Sequence, residues 1–127
     1  MNIPNNLLYT QTHEWIRVEG NRCTIGITDY AQDQLGDIID YDAPDVDDEV
    51  SKGDELGALE TDKAAAEIYA PIAGTIVSVN EEIEEDPEVV NNDPYGAGWL
   101  VVLEVGDAEA LNDLLSSEDY AKVIQEH

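Results

Sequence analysis

Residues 57–71 read GALETDKAAAEIYAP, and the rest of the chain is interpreted outward from this stretch. Two short runs of alternating apolar and polar residues flank a polar segment at 61–63, and neither run is long enough for an ordinary helix. Asp62 favours a turn because its carboxylate can accept hydrogen bonds from nearby backbone amides. The pattern therefore predicts a β-hairpin with Lys63 at its tip.

Lys63 has two interpretations from the residues alone. A lysine at a hairpin tip is usually no more than a solvated charge. However, the chain has only three lysines against 30 acidic residues, and the alanines at 64–66 leave the Lys63 amine accessible to a large partner. This setting favours a site of covalent modification, although the simple solvated charge stays open at this point.

The net charge of −25 is the most unusual global property of the chain. It argues against nucleic-acid binding, which requires clustered lysine and arginine to neutralise phosphates. A disordered acidic chain is disfavoured, because 43% of the residues are hydrophobic and many of them alternate as in strands. We interpret the chain as a folded domain from a salt-adapted source, with an acidic surface for basic partners as the alternative.

Length and cysteine content limit the remaining classes. A chain of 127 residues is predicted to be a single domain over 1–127, long enough to bury a core. No apolar run approaches the roughly 20 residues of a membrane span. The N-terminus lacks the features of a signal or transit peptide, so we expect a cytoplasmic protein. We also expect a monomer. Cys23 is the only cysteine, which predicts neither a disulfide nor a cysteine metal site.

The acidic stretch that follows Asp40 is not a calcium loop. An EF-hand loop needs glycine at its sixth position and glutamate at its twelfth. Counting from Asp40 places Asp45 and Ser51 there, and counting from Asp42 does no better. We therefore predict no metal site.

Alternation along the rest of the chain predicts mainly short strands. Thr28 is a plausible N-cap for a helix that runs to Leu35 and stops at Gly36. The predicted strands outside the lysine hairpin cover residues 9–19, 22–27, 37–41, 75–79 and 99–105. A total of about seven or eight strands with a few short helices is typical of a small β-sandwich or barrel.

The second half of the chain also contains turn and helix signals. Residues 81–88 are expected to form an exposed segment, and residues 91–98 are dense in turn formers. Asp107 is expected to cap a helix that runs to Leu115. Ser116 and Asp119 resemble a capping box for a C-terminal helix, which would place on one side Tyr120, Val123 and Ile124.

The tip of the predicted hairpin resembles the modification motif of lipoyl domains. In that motif, which matches residues 60–64 here (ETDKA), a lipoate ligase or lipoyl transferase attaches lipoate to the lysine amine. Residues 70–76 (APIAGTI) are similar to the strand–turn–strand segment that follows it. Biotin carrier domains share the architecture but flank their lysine with methionines, and Met1 is the only methionine here. The resemblance implies a lipoyl-domain-like barrel-sandwich fold with covalent lipoate on Lys63. The residues that the modifying enzyme would read are Glu60, Thr61, Asp62 and Ala64.

Nearly the whole chain resembles the H proteins of the glycine cleavage system. The matching segments are HEW at 13–15, GIT at 26–28, AQ at 31–32, LGD at 35–37, Asn91, PY at 94–95, GW at 98–99 and the helical tail. The lysine motif itself departs from the family, since H proteins more often have Glu-Ser-Val-Lys-Ala. Glu-Thr-Asp-Lys-Ala is typical of 2-oxoacid dehydrogenase acyltransferases, so a stand-alone lipoyl carrier for such a dehydrogenase, or for lipoate relay, is the alternative.

The resemblance implies a carrier and not an enzyme, and no catalytic triad is found in the sequence. Its lipoyl group would take an aminomethyl group from glycine decarboxylase, deliver it to an aminomethyltransferase and be reoxidised by a dihydrolipoamide dehydrogenase. Family members hold the loaded arm in a cleft, and the matching positions here are Thr12, Glu14 and Glu67. A simpler interpretation puts Trp15 in the core and Glu14 in water. Tyr95 and Trp99 are interpreted as packing residues.

Overall fold

The computed structural model describes residues 3–106 and 108–125. Nine strands are found within these residues: β1 (Leu8–Tyr9), β2 (Glu14–Glu19), β3 (Arg22–Ile27), β4 (Ile38–Asp42), β5 (Glu49–Val50), β6 (Glu55–Thr61), β7 (Ala65–Tyr69), β8 (Gly74–Val79) and β9 (Val101–Glu104). The helices are α1 (Asp29–Leu35), α2 (Glu82–Glu85), α3 (Val89–Asn92) and α4 (Ser117–Gln125), and a 3-10 helix spans Ala108–Asp113.

Two antiparallel sheets form the body of the molecule. The larger sheet has six strands in the order β1-β2-β3-β9-β8-β5, and the smaller has three in the order β4-β6-β7. Their inward-facing aliphatic side chains pack into one main core, which includes Ile25, Leu59, Ile76 and Leu103. Burying such side chains stabilises the fold by about 1.5–3 kcal/mol each. Cys23 lies in the same core and is fully buried.

A second cluster lies where the N-terminal segment meets the C-terminal helix. It contains Leu7, Tyr9, Trp15 and Tyr120, all buried. Tyr95, Trp99, Val123 and Ile124 pack against this cluster. The predicted apolar side of α4 is therefore confirmed, and so is the packing role of Tyr95 and Trp99.

Local signals in the sequence predicted several elements well. Thr28 caps α1, and its side chain accepts a hydrogen bond from the Ala31 backbone N–H. Gly36 ends this helix with φ 79°, a left-handed conformation that glycine adopts at little cost. Ser116 accepts a hydrogen bond from the Asp119 N–H at the start of α4. The lysine hairpin is also present, as β6 and β7.

The prediction of one strand over residues 9–19 is wrong. The chain folds back on itself between β1 and β2, which pair antiparallel with Tyr9 opposite Trp15. A turn occupies the intervening residues, and His13 within it has φ 71°. The alternating residue types predicted a continuous strand, because the turn contains no glycine or proline that would mark it.

Two other segments also differ from expectation. Residues 81–88 are mostly exposed, as expected, but α2 forms among them and fully buries Ile83. Helix α3 overlaps the start of the turn-rich segment at 91–98 and buries Val90, which precedes that segment. The helix expected over 107–115 is a 3-10 helix that ends at Asp113, and its expected cap, Asp107, lies outside the described residues.

Candidate functional site

The turn that holds Lys63 is organised by Thr61. The Thr61 backbone N–H donates to the Ala64 carbonyl over 2.8 Å. Its side-chain oxygen accepts hydrogen bonds from the backbone N–H groups of Lys63 and Ala64, at 3.2 and 3.1 Å. Thr61, and not Asp62, thus provides the side-chain oxygen that bonds the backbone of this turn. Asp62, Lys63 and Ala64 are all exposed, so the amine stands at the solvent end of the smaller sheet.

Glu14 is the most unusual residue near this hairpin, because its side chain is charged by type and only 1% exposed. One carboxylate oxygen, Oε1, accepts hydrogen bonds from the hydroxyls of Thr10 and Thr12, at 2.6 and 2.5 Å. The Tyr69 backbone N–H also donates to the carboxylate. Burial raises the pKa of Glu14, and these three hydrogen bonds partly oppose that rise. The expectation that Glu14 points into water is therefore wrong.

The turn between β1 and β2 creates this arrangement. The Thr10 N–H donates to the Glu14 carbonyl over 3.0 Å, and the Glu14 N–H donates to the Thr10 hydroxyl oxygen over 3.1 Å. His13 closes the turn with a left-handed φ of 71°. This conformation costs an L-residue about 1–2 kcal/mol. The turn therefore brings the side chains of Thr10 and Thr12 into hydrogen-bonding contact with Glu14.

Glu67 lies on β7, four residues beyond the lysine, and is exposed. Its Oε2 accepts a hydrogen bond from the Tyr69 hydroxyl over 2.7 Å, and this bond raises the pKa of Tyr69. Glu67 lines a largely apolar groove of about 300 Å³ between β7 and α1. The other groove residues include Thr12, Ile27, Ala31, Leu35 and Ile68.

Glu14 does not line this groove. It lines an adjacent cavity of about 420 Å³, which Thr12 also lines. Thr12 thus borders both cavities, and Tyr69 contacts both carboxylates, with its backbone N–H on Glu14 and its hydroxyl on Glu67. Sequence reasoning singled out Thr12, Glu14 and Glu67 but missed Thr10 and Tyr69. Thr10 lies in the same turn as Thr12, two residues before it. Tyr69 lies two residues beyond Glu67, on the same face of β7.

The described residues contain neither a membrane-spanning helix nor a metal-binding cluster. No helix among them is long and apolar enough to cross a membrane. No group of three or more His, Cys, Asp or Glu side chains among them is arranged to hold a metal ion.

Comparison with known proteins gives the family. The sequence model of the glycine cleavage H-protein family matches residues 7–127. The chain belongs to the glycine cleavage H-protein family. Among its relatives, the glycine cleavage system H protein of Carboxydothermus hydrogenoformans is 50% identical over 124 residues, which cover 98% of this chain and 95% of the relative. That of Staphylococcus haemolyticus is 48% identical over 126 residues, covering 99% of this chain and all of the relative.

A solved structure from the H-protein family agrees. The crystal structure of a glycine cleavage system H protein from Mycobacterium marinum superposes with a TM-score of 0.85 at 36% sequence identity, covering 97% of this chain and 99% of that one. The fold is therefore the lipoyl-domain-like barrel-sandwich of H proteins. The chain is a lipoyl carrier of the glycine cleavage system and is not itself an enzyme, and the alternative of a carrier for another dehydrogenase is not favoured.

Proposed function

We propose that lipoate is carried on Lys63, joined to its amine by an amide bond. The observation that supports this assignment is the exposed, tightly bonded turn that presents Lys63 within the ETDKA motif. The other two lysines lack this setting. Lys52 follows β5 in a turn that connects strands of different sheets, and Lys122 lies on α4.

Substitution of Lys63 tests the attachment site. Lys63→Arg should express and fold like wild type, since an exposed turn residue changes stability by roughly 0.5 kcal/mol at most. Intact-mass spectrometry after co-expression with a lipoate ligase should show one lipoyl adduct on wild type and none on this variant. Lys52→Arg is the matched control and should keep the adduct. An adduct on Lys63→Arg would refute the assignment.

The groove beside β7 has the size and polarity to hold the arm. When attached, lipoate supplies a disulfide that takes up and passes on the aminomethyl group of glycine. A lysine and its lipoyl chain together extend on the order of 14 Å, while Glu67 lies about 13 Å along the strand from Lys63. The apolar side chains of Ile27, Leu35 and Ile68 suit a hydrocarbon chain laid along the strand.

Glu67 in this groove, Thr12 at its border and Glu14 in the adjacent cavity would then lie around the amine at the end of the loaded arm. A nearby carboxylate favours the protonated form of an amine. A protonated amine has no lone pair with which to expel a neighbouring sulfur, so the cargo is protected from loss to water. Thr12 borders both cavities and its hydroxyl oxygen can accept from the ammonium group.

The release of cargo in the absence of partner enzymes tests this cleft. The lipoylated carrier is loaded with glycine by the decarboxylase, the enzyme is removed, and ammonia is followed with time. Glu14→Gln should release ammonia about tenfold or more faster than wild type, because a hydrogen bond to a charged group is worth about 1.5–3 kcal/mol. Glu67→Gln should have a smaller effect, because Glu67 is exposed and screened by water.

The control for this experiment is Glu49→Gln, which removes an exposed carboxylate from β5. It should release ammonia at the wild-type rate. Equal rates in wild type, Glu14→Gln and Glu67→Gln would refute the protective cleft while leaving the carrier assignment intact.

We further propose that the partners of the chain are glycine decarboxylase, an aminomethyltransferase, a dihydrolipoamide dehydrogenase and a lipoate ligase or lipoyl transferase. A tethered arm has a local concentration on the order of millimolar during each encounter, so weak docking suffices. Glycine–bicarbonate exchange by purified decarboxylase should depend on the lipoylated chain. Failure of this exchange would contradict the assignment of glycine decarboxylase.

We also propose a cytoplasmic location, a monomeric state, a single domain over 1–127 and a salt-adapted source. The absence of a lysine- or arginine-rich stretch from the sequence and the high acidity support the last of these. Size-exclusion chromatography with light scattering tests the monomer, and a mass of two chains would refute it.

A further inference from the structure

Tyr120 on the C-terminal helix is bonded to two residues far from it in sequence. Its ring is fully buried, and its hydroxyl lies 2.8 Å from His13 Nδ1 and 2.7 Å from Thr28 Oγ1. The ring also stacks on Tyr9, with centroids 4.8 Å apart and planes 9° from parallel. Tyr120 therefore connects α4 to the turn between β1 and β2 and to the N-cap of α1.

Both the backbone carbonyl and the imidazole of His13 are bonded to residues outside its own turn. Its carbonyl accepts a hydrogen bond from the Thr28 N–H over 3.1 Å, and its imidazole bonds to the Tyr120 hydroxyl. The imidazole also packs against the Tyr30 ring at 4.8 Å. These contacts compensate for the cost of the left-handed conformation, which is uncommon for residues other than glycine.

The left-handed conformation is what allows two hydroxyls to reach one oxygen of Glu14. In an extended strand, residues two apart on the same face are separated by about 7 Å. Thr10, Thr12 and Glu14 would then be too far apart for their short side chains to meet. The turn that His13 closes brings both threonine hydroxyls to within 2.6 Å of Glu14 Oε1.

We propose that Tyr120 is a positioning residue for the cargo site: its hydroxyl fixes the conformation of His13 and thereby holds Thr10 and Thr12 on Glu14. The C-terminal helix is then a working part of the carrier, although it does not touch the arm cleft. This inference rests on the proposed role of Glu14 in protecting the loaded arm. It adds a residue whose effect is transmitted through another side chain.

The first test uses Tyr120→Phe, which keeps the buried ring and removes only the hydroxyl. The lipoylated, loaded variant should release ammonia about fivefold faster than wild type, the change that corresponds to loss of the hydrogen bond to His13. Tyr9→Phe is the matched control, because Tyr9 is equally buried in the same ring stack but donates its hydroxyl to the Pro4 carbonyl. It should release ammonia at the wild-type rate even if both variants lose similar stability.

The second test does not depend on the cargo. The chain has two histidines, so the imidazole signals of His13 are readily distinguished from those of His127 by NMR. Tyr120→Phe should shift the His13 Nδ1 resonance and change its amide-to-Hα coupling, which reports φ. Tyr9→Phe should leave both unchanged.

The third test asks whether Tyr120 acts through His13. Glycine adopts positive φ without a brace, so the turn of a His13→Gly variant should no longer need the Tyr120 hydroxyl. Adding Tyr120→Phe to His13→Gly should therefore change the release rate by less than twofold, whereas the same substitution in wild type changes it about fivefold. Equal effects of Tyr120→Phe in the two backgrounds would overturn the proposed route.

The outcomes separate this inference from the proposed cleft. If Glu14→Gln speeds release and Tyr120→Phe does not, the positioning role is overturned while the cleft stands. If Glu14→Gln has no effect on release, the proposed protective cleft is refuted. The amide-to-Hα coupling of His13 then decides whether Tyr120 fixes the conformation of His13. An unchanged φ at His13 in Tyr120→Phe overturns the inference in every case.

Discussion

Glu14 combines a buried carboxyl group with a raised pKa, and this combination has a consequence for stability. A group whose pKa is higher in the folded than in the unfolded chain stabilises the fold below its unfolded pKa, near 4.5 for glutamate. That stabilisation is lost as the pH rises through the raised pKa of the folded state. Above that raised pKa, therefore, the ionised carboxylate of Glu14 lowers the stability of the fold.

The Glu14→Gln variant tests whether ionisation of Glu14 lowers the stability of the fold. The amide keeps an oxygen that can accept from Thr10 and Thr12 but cannot ionise. The free energy of unfolding of this variant, relative to wild type, should increase as the pH rises from about 5 to about 8. Urea denaturation at a series of pH values measures it.

Comparison with the exposed Glu49→Gln corrects for the removal of one negative charge from an acidic molecule. The difference between the two glutamine variants should widen with pH. Parallel curves would contradict a raised pKa for Glu14.

The lysine hairpin depends on an irregularity within one of its strands. The register of β6 against β7 shifts between Glu55 and Ala58, and Gly57 sits in that shift with φ 92°. A Cβ at position 57 would clash with the backbone carbonyl oxygen of Asp42 on β4. Glycine at this position therefore permits both the backbone angle and the close approach of the neighbouring strand.

Gly57→Ala should destabilise the protein by about 2–4 kcal/mol, from a disfavoured φ and a backbone clash that cannot relax cheaply. Gly53→Ala is a matched control, because Gly53 has φ 90° but a Cβ there would point into open space, with no contact within 4 Å beyond its chain neighbours. It should lose only about 1 kcal/mol or slightly more. Equal losses in urea denaturation would show that the contact with Asp42 is unimportant.

Elements with their own end signals were predictable, and elements defined by distant contacts were not. Thr28 and Gly36 mark both ends of α1, so its bounds followed from the sequence. Helix α2 has four residues and buries only Ile83, and one apolar residue creates no helical period. At the site, Lys63 stood out through its local motif, whereas the bond from His13 to Tyr120 joins residues 107 positions apart and has no local signal.

Charge is distributed unevenly over the whole molecule. On the larger sheet, Arg22 lies directly between Glu19 and Glu104 in the strand register. On the smaller sheet, Asp40 lies directly opposite Glu60, and none of its three strands contains lysine or arginine. Like charges opposite one another across a sheet are destabilising. The sheet that carries the lysine hairpin therefore contains a repulsive pair that no basic residue on its strands offsets.

Salt should consequently stabilise the protein. The Debye length falls from about 10 Å at 0.1 M to about 3 Å at 1 M, which screens repulsion between exposed carboxylates. The midpoint of thermal unfolding should rise by several degrees between low and molar potassium chloride, roughly 4 °C for each kcal/mol of repulsion removed. A midpoint that does not respond to salt would indicate that the acidic surface serves partners instead of solvent.

Asp40→Asn localises the effect. The Asp40 Oδ1 accepts from the Tyr41 backbone N–H, and an asparagine oxygen can keep that bond. The variant should be more stable than wild type in low salt by about 0.2–1 kcal/mol. The gain should shrink in molar salt, and a gain that is independent of salt would not be electrostatic.

The burial of Cys23 makes its thiol unreactive in the folded carrier. A thiol reacts as its thiolate, and burial both raises the pKa of Cys23 and closes access to it. Because this is the only cysteine, the polypeptide offers no accessible thiol that could attack the disulfide of the oxidised arm. The oxidised arm therefore cannot be trapped as a mixed disulfide with its own chain. An aromatic disulfide reagent should react with almost no thiol in the native protein. In urea it should react with one equivalent of thiol per chain.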